Sequence, residues 1–141
     1  MKNLFKYLTI IALVIFIASC AKEDDPINGV SDARNKYTGT WTAQENSSVF
    51  GSSTYSITIT TSNSNNEDIL IKNFYNLGAG TVTIGSVNVD GSGNSIQIKQ
   101  QTVSGNVISG SGSYSNNKIT FNFTSNDGQT IDNVSVTATK N

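Results

Sequence analysis

From Tyr37 to Asn141, apolar residues recur at every second position in short runs, and turn-forming residues separate the runs. Tyr55, Ile57 and Ile59 alternate with Ser and Thr; Ile119, Phe121 and Phe123 alternate with Thr and Asn. A period of two sends one set of side chains to one face of a strand and the other set to the opposite face, a pattern that a helix cannot satisfy. The runs predict eight strands: Gly39–Asn46, Thr54–Thr61, Asp68–Phe74, Thr81–Val89, Ser95–Thr102, Val107–Tyr114, Lys118–Thr124 and Thr130–Thr139. Turn signals at Asp90-Gly91, Ser104-Gly105-Asn106, Asn116-Asn117 and Asp127-Gly128 suit positive φ and tight hairpins.

Successive strands start 11 to 15 residues apart. Such spacing leaves short connections, so each strand is expected to pair with the next. Eight antiparallel strands in sequence close into an up-and-down (meander) barrel, which removes both exposed edges. A Greek-key sandwich needs longer crossing connections, and Thr61–Glu67 is the one candidate. The expected fold is all-β, one eight-stranded antiparallel barrel over residues 31–141. Two runs change phase. Val82 and Ile84 against Val87 and Val89 predict a bulge near Gly85-Ser86, and Ile131 against Val134, Val136 and Ala138 predicts another. Ahead of the barrel, Ser31 is placed to cap a single helical turn over Asp32 to Lys36.

The first 30 residues are of another kind. Lys2 and Lys6 precede Tyr7 to Ser19, thirteen residues without a charge. That is short of the roughly 20 apolar residues a transmembrane helix needs, and it suits a cleaved signal peptide over residues 1–19. Ile17-Ala18-Ser19-Cys20 resembles the bacterial lipobox. The resemblance implies cleavage between Ser19 and Cys20 and acylation of Cys20, the single cysteine, which has no disulfide partner within the chain. Two or more acyl chains hold a protein on a membrane stably where one does not. Ala21, rather than Asp, follows the cysteine and by the same resemblance favours the outer membrane of a Gram-negative cell. Lys22-Glu23-Asp24-Asp25 resembles a short acidic signal for display on the cell surface; a solvated tether facing the periplasm is the alternative. Residues 20–30, with Pro26 and Gly29, read as a lipidated tether.

Tyr37-Thr38-Gly39-Thr40-Trp41 resembles the Gly-x-Trp signature that opens lipocalin and related calycin barrels. Asn73–Gly78, Ile96–Gln101 and Ser109–Tyr114 are similar to segments of small lipocalin-like bacterial lipoproteins. The resemblance implies that Gly39 and Trp41 mark a closed barrel end, with Trp41 beneath the N-terminal turn. The Thr-Asp-Tyr motif and the late-strand arginine of lipocalins are missing.

Composition narrows the chemistry. The chain has no His, and its one Cys is assigned to lipid. The usual imidazole bases, thiol nucleophiles and most transition-metal sites are thereby unsupported. Neither a catalytic residue, a metal site nor a cofactor is expected. Glu45 is placed to point into the barrel mouth without an evident partner. Glu67-Asp68 are sequence neighbours, which on a strand face opposite ways. Asp90-Gly91-Ser92-Gly93-Asn94 has the oxygen pattern of a calcium loop, but Ser95 stands where its glycine belongs and Gln101 where its acidic twelfth ligand belongs. Formal net charge is −1, and removing Lys2 and Lys6 with the signal peptide leaves −3, giving no electrostatic case for nucleic acid.

Two function classes stay open. One is a binding module whose open end takes a small apolar or amphipathic ligand, with Val49 and Phe50 as a lid or as a plug over the core. The other is a structural or protein- or glycan-interaction lipoprotein with a packed barrel and an Asn/Ser/Thr-rich exterior. Gly110 and Gly112 bear on the choice: facing inward they leave space, facing outward they help the sheet bend.

Overall fold

The computed structural model describes residues 32–88 and 91–141. Among the described residues eight strands are present: β1 (Gly39–Ser47), β2 (Gly51–Thr61), β3 (Asp68–Lys72), β4 (Val82–Val87), β5 (Ser95–Val103), β6 (Asn106–Ser115), β7 (Lys118–Asn126) and β8 (Ile131–Lys140). Each pairs antiparallel with the next, and β8 returns to β1, so the sheet closes into an up-and-down barrel. The 62–67 connection that a sandwich would have used to cross over joins the neighbours β2 and β3.

Alternation sets the core. Trp41 and Ala43 on β1, Ile57 and Ile59 on β2, Ile119 and Phe121 on β7, and Val136 and Ala138 on β8 all point inward and are buried. Each large apolar side chain so buried contributes roughly 1.5–3 kcal/mol from removal of its surface from water. The interior is packed with side chains. Gly110 and Gly112 of β6 face inward, but Phe123 and Phe121, their partners across the sheet, fill the space. A Cβ on Gly110 would lie 2.3 Å from the Asn122 carbonyl oxygen, and one on Gly112 would lie 2.7 Å from the Phe121 ring. The glycines therefore give room to the phenylalanines of β7.

Two local expectations are corrected. The β3–β4 register runs without a break from Asp68↔Ser86 to Lys72↔Val82, so no bulge interrupts Gly85-Ser86. Val82 and Ile84 face outward and are exposed, while Thr83, Gly85 and Val87 face inward. Likewise β7–β8 pairs regularly from Asn126↔Ile131, and Ile131 is an exposed outward residue. In both cases β-branched residues on the solvent face look like core residues in the sequence. The bulge lies in β5, where Lys99 and Gln100 stand against Ser109 alone between Ile98↔Gly110 and Gln101↔Ile108. It turns the buried phase from Ile96 and Ile98 to Val103.

Boundaries also move: β2 starts three residues earlier than expected, at Gly51, β7 runs on to Asn126, and β3 and β4 end early. β3 stops at Lys72 because Asn73, Tyr75 and Asn76 adopt positive φ (59°, 55° and 52°), forming a 3-10 turn over Phe74–Asn76. β4 ends at Val87, and Val89 and Asp90 lie outside the described residues. Asp32 to Lys36 forms hydrogen-bonded turns and no helix: Asn35 N–H donates to Asp32 O (2.9 Å) and Tyr37 N–H to Arg34 O (2.9 Å). Asp32 caps them, its Oδ1 accepting from Arg34 N–H at 2.9 Å; Ser31 lies outside the described residues.

Candidate functional site at the barrel mouth

Strand direction divides the barrel into two ends. At one end lie the N-terminal turn, the start of β1 and the end of β8; at the other lie the β1–β2, β3–β4, β5–β6 and β7–β8 connections.

The first end is closed. Trp41 is fully buried, its indole N–H donating to Tyr37 O at 2.8 Å. Tyr114 packs edge-on to both Tyr37 and Trp41 (5.4 and 6.4 Å between centroids), and the Lys140 ammonium sits 5.3 Å from the Trp41 ring. Tyr37 OH donates to Gly93 O at 2.6 Å, and burial pushes its pKa up to about 12. Arg34 fixes the turn to the 62–67 loop: Nη1 donates to the carbonyls of Ser62, Asn65 and Asp68 (3.0, 2.8 and 3.1 Å), while Nε and Nη2 bind the Asp32 carboxylate. Gly39 and Trp41 thus stand at the closed end, with Trp41 fully buried beneath the N-terminal turn.

The opposite end holds a cleft of about 380 Å³. Its rim carries Phe50, Leu77, Asp127 and Thr130; Glu45, Tyr75, Ser125 and Asp132 lie deeper. The barrel below is stoppered by Phe74, which is 1% exposed and packs against Phe121 and Phe123 (5.2 and 4.6 Å). Tyr75 follows it and stacks edge-on to Phe123 at 5.7 Å. A left-handed backbone at a tyrosine costs on the order of 1–2 kcal/mol. Aromatic packing and a hydrogen bond from Tyr75 OH to Asp132 Oδ2 (2.7 Å) offset that cost.

Asp132 is a hub. Its Oδ2 also accepts from Ser47 Oγ (2.6 Å), and Oδ1 accepts from Ser48 Oγ (2.9 Å) and Val49 N–H (3.2 Å). Burial pushes its carboxyl up, but these donors outweigh burial and hold it below the ordinary aspartate value. Glu45 is different. It is 7% exposed, accepting a 2.5 Å bond from Tyr55 OH on Oε2 and a long 3.4 Å bond from Ser53 on Oε1. Burial raises its pKa, the two donors lower it in part, and the charge of Asp132 adds to the rise. Tyr55 and Tyr75 are both raised by burial and by the carboxylates they bind. Among the described residues no Lys or Arg lines the cleft. The mouth therefore holds one saturated carboxylate (Asp132), one buried carboxylate with acceptor capacity to spare (Glu45), and a rim on which Phe50 and Leu77 stand beside Asp127 and Thr130. This arrangement complements a hydrogen-bond donor or a positive charge carried on an apolar body.

Of the residues singled out in the sequence, Val49 and Phe50 stand at this mouth. Phe50 is 75% exposed and Val49 44%, so neither plugs the core; Phe74 does. Phe50 lines the cleft, held by its N–H donating to Ser47 Oγ at 2.7 Å. Glu45 points inward as expected, but it has partners, one directly across the sheet (Ser53) and one diagonal to it (Tyr55). Tyr55, Tyr75 and Asp132 were not foreseen as site residues: the bonds of Asp132 to Ser47 and Tyr75 span 85 and 57 residues. Ser19, Cys20, Lys22, Glu23, Asp24 and Asp25 lie outside the described residues.

Fold and site together define a closed eight-stranded up-and-down barrel, compatible with a lipocalin-like fold, with one plugged end and one carboxylate-lined mouth. In comparisons with known proteins the chain matches no family model, no curated protein and no solved structure.

Proposed function

We propose that this chain is a lipid-anchored envelope lipoprotein whose barrel mouth binds a small amphipathic molecule. The observation that carries the reading is Glu45, a buried carboxylate with spare acceptor capacity in a cleft rimmed by Phe50 and Leu77. A cleft of about 380 Å³ lies within the ordinary range for small-ligand sites. The ligand's apolar part rests on the rim, and its donor-bearing, preferably cationic, head turns toward Glu45. The packed interior restricts binding to the mouth, since Phe74, Phe121 and Phe123 occupy the space that a deep apolar ligand would need.

Anchoring rests on Cys20 and its preceding Ile17-Ala18-Ser19, and surface display on Lys22 to Asp25. The first described residues lie at the closed end of the barrel, away from the mouth. Isothermal titration with octylamine, octanol and octanoate tests the site. Octylamine is expected to bind most tightly, and Glu45→Gln to weaken it. Equal binding of octanoate, or no binding of any of the three, overturns the reading.

A further inference from the structure

A second concavity, on the outside of the barrel, has a chemistry unlike that of the mouth. A groove of about 800 Å³ crosses the outer face of β1, β8, β7, β6 and β5. Strand register places Asn46, Ser135, Asn122, Ser111 and Gln97 in one row across it, through the pairs Asn46↔Ser135, Asn122↔Ser135, Ser111↔Asn122 and Gln97↔Ser111. At about 4.8 Å between strands the row is roughly 19 Å long. All five side chains are exposed. The groove bottoms near Gly110, where β6 comes too close to β7 to admit a side chain.

From this row we infer a binding groove for a neutral glycan chain. Among the described residues no charged side chain lines the groove. A charged ligand would call for side chains of opposite sign. This face carries carboxamides and hydroxyls. Each carboxamide presents a donor and an acceptor side by side, the pattern that two adjacent sugar hydroxyls satisfy, and the serines between them both give and accept. The other classes of partner fit less well. Nucleic acid requires basic residues, and a protein hot spot is built on Trp, Tyr or Arg, none of which lines the groove. A charged polysaccharide would find no counter-charge.

Affinity electrophoresis of the detergent-solubilised full-length protein, in gels containing laminarin, mannan, xylan or polygalacturonate, tests this. At least one neutral polymer is expected to retard the protein. Asn122→Ala and Ser111→Lys are each expected to weaken that retardation about tenfold, the loss of one or two hydrogen bonds. Thr60→Ala, an exposed substitution on β2 outside the groove, should leave it unchanged, and far-UV circular dichroism should show all three variants folded. Retardation by polygalacturonate alone, by none of the polymers, or unaffected by both groove substitutions overturns the inference. The mouth takes no part in this measurement, so the two sites succeed or fail separately.

Discussion

The side-chain amide of Gln101 takes the place of a strand beside Ile84: Ile84 N–H donates to Gln101 Oε1 at 2.8 Å, and Gln101 Nε2 donates to Ile84 O at 2.8 Å. β4 and β5 pair by backbone at Ser86↔Gln97 and Val87↔Ile96, and the β5 bulge lies beyond them. The carboxamide, geometrically a peptide group, bridges the gap that the bulge opens. Thr83, whose buried hydroxyl lacks a partner, is the next residue along this seam.

Gln101→Ala should therefore loosen the barrel at one place. Two bonds at a net ~0.5–1.5 kcal/mol each put the loss at about 1–3 kcal/mol. Native-state hydrogen exchange should show the Ile84 amide losing protection by more than amides of β7. Uniform loss across the barrel would mean that the bridge is not local.

The two buried mouth carboxylates, Asp132 and Glu45, should give opposite pH signatures. Asp132 has a lowered folded pKa, so its contribution to stability is present above its unfolded value and lost as pH falls through the folded one. Glu45 has a raised folded pKa; its contribution is present below its unfolded value, about 4.3, and is lost as pH rises through the folded one. Glu45→Gln keeps an acceptor for Tyr55 and removes the charge. Denaturant midpoints measured from pH 4 to 8 should show this variant gaining on the wild type as pH rises. Asp132→Asn should instead lose roughly 2–4 kcal/mol at neutral pH, because a hub of four donors loses its charged acceptor. Parallel curves for wild type and Glu45→Gln would refute the assignment.

Trp41→Ala should cost about 3–5 kcal/mol, the ordinary loss for a large buried aromatic. Trp41→Phe tests the indole bond to Tyr37 O separately and should cost less. A thermal midpoint barely moved by Trp41→Ala would mean that the closed end does not hold the barrel.

Intact-protein mass spectrometry should find acyl chains on Cys20 and none in Cys20→Ala; a wild type without them would remove the anchor. Replacing Lys22 to Asp25 by Ala should shelter the barrel from protease added to intact cells, and unchanged cleavage would count against surface display.

Much of the fold was legible because the side-chain period of a strand is a local property. Ile57 and Ile59, or Phe121 and Phe123, declare their face without reference to any partner. Short spacing between the runs then limits each strand to pairing with the next, and eight of them close. Local pattern misled where an apolar residue faces water: Val82, Ile84 and Ile131 carried the wrong phase and called for bulges that do not exist. The real bulge, at Lys99-Gln100, falls among polar residues that give no phase to read.

The mouth was visible in the sequence only as its separate parts. Glu45 and Phe50 stood out, one as an acid on an inward phase and the other as an apolar residue in a turn. Their chemistry depends on Tyr55, Tyr75 and Asp132, which barrel closure brings from three different strands and loops. Closure also decided between a hollow and a packed interior. Gly110 and Gly112 permit either, and Phe123 and Phe121 on the neighbouring strand settle it by filling the space. Periodicity and turn chemistry act over a few residues, so the chain alone determined the strands and their order. Hydrogen bonds and packing between strands act across the barrel, so the tertiary structure alone decided where the acids, the aromatics and the empty space would meet.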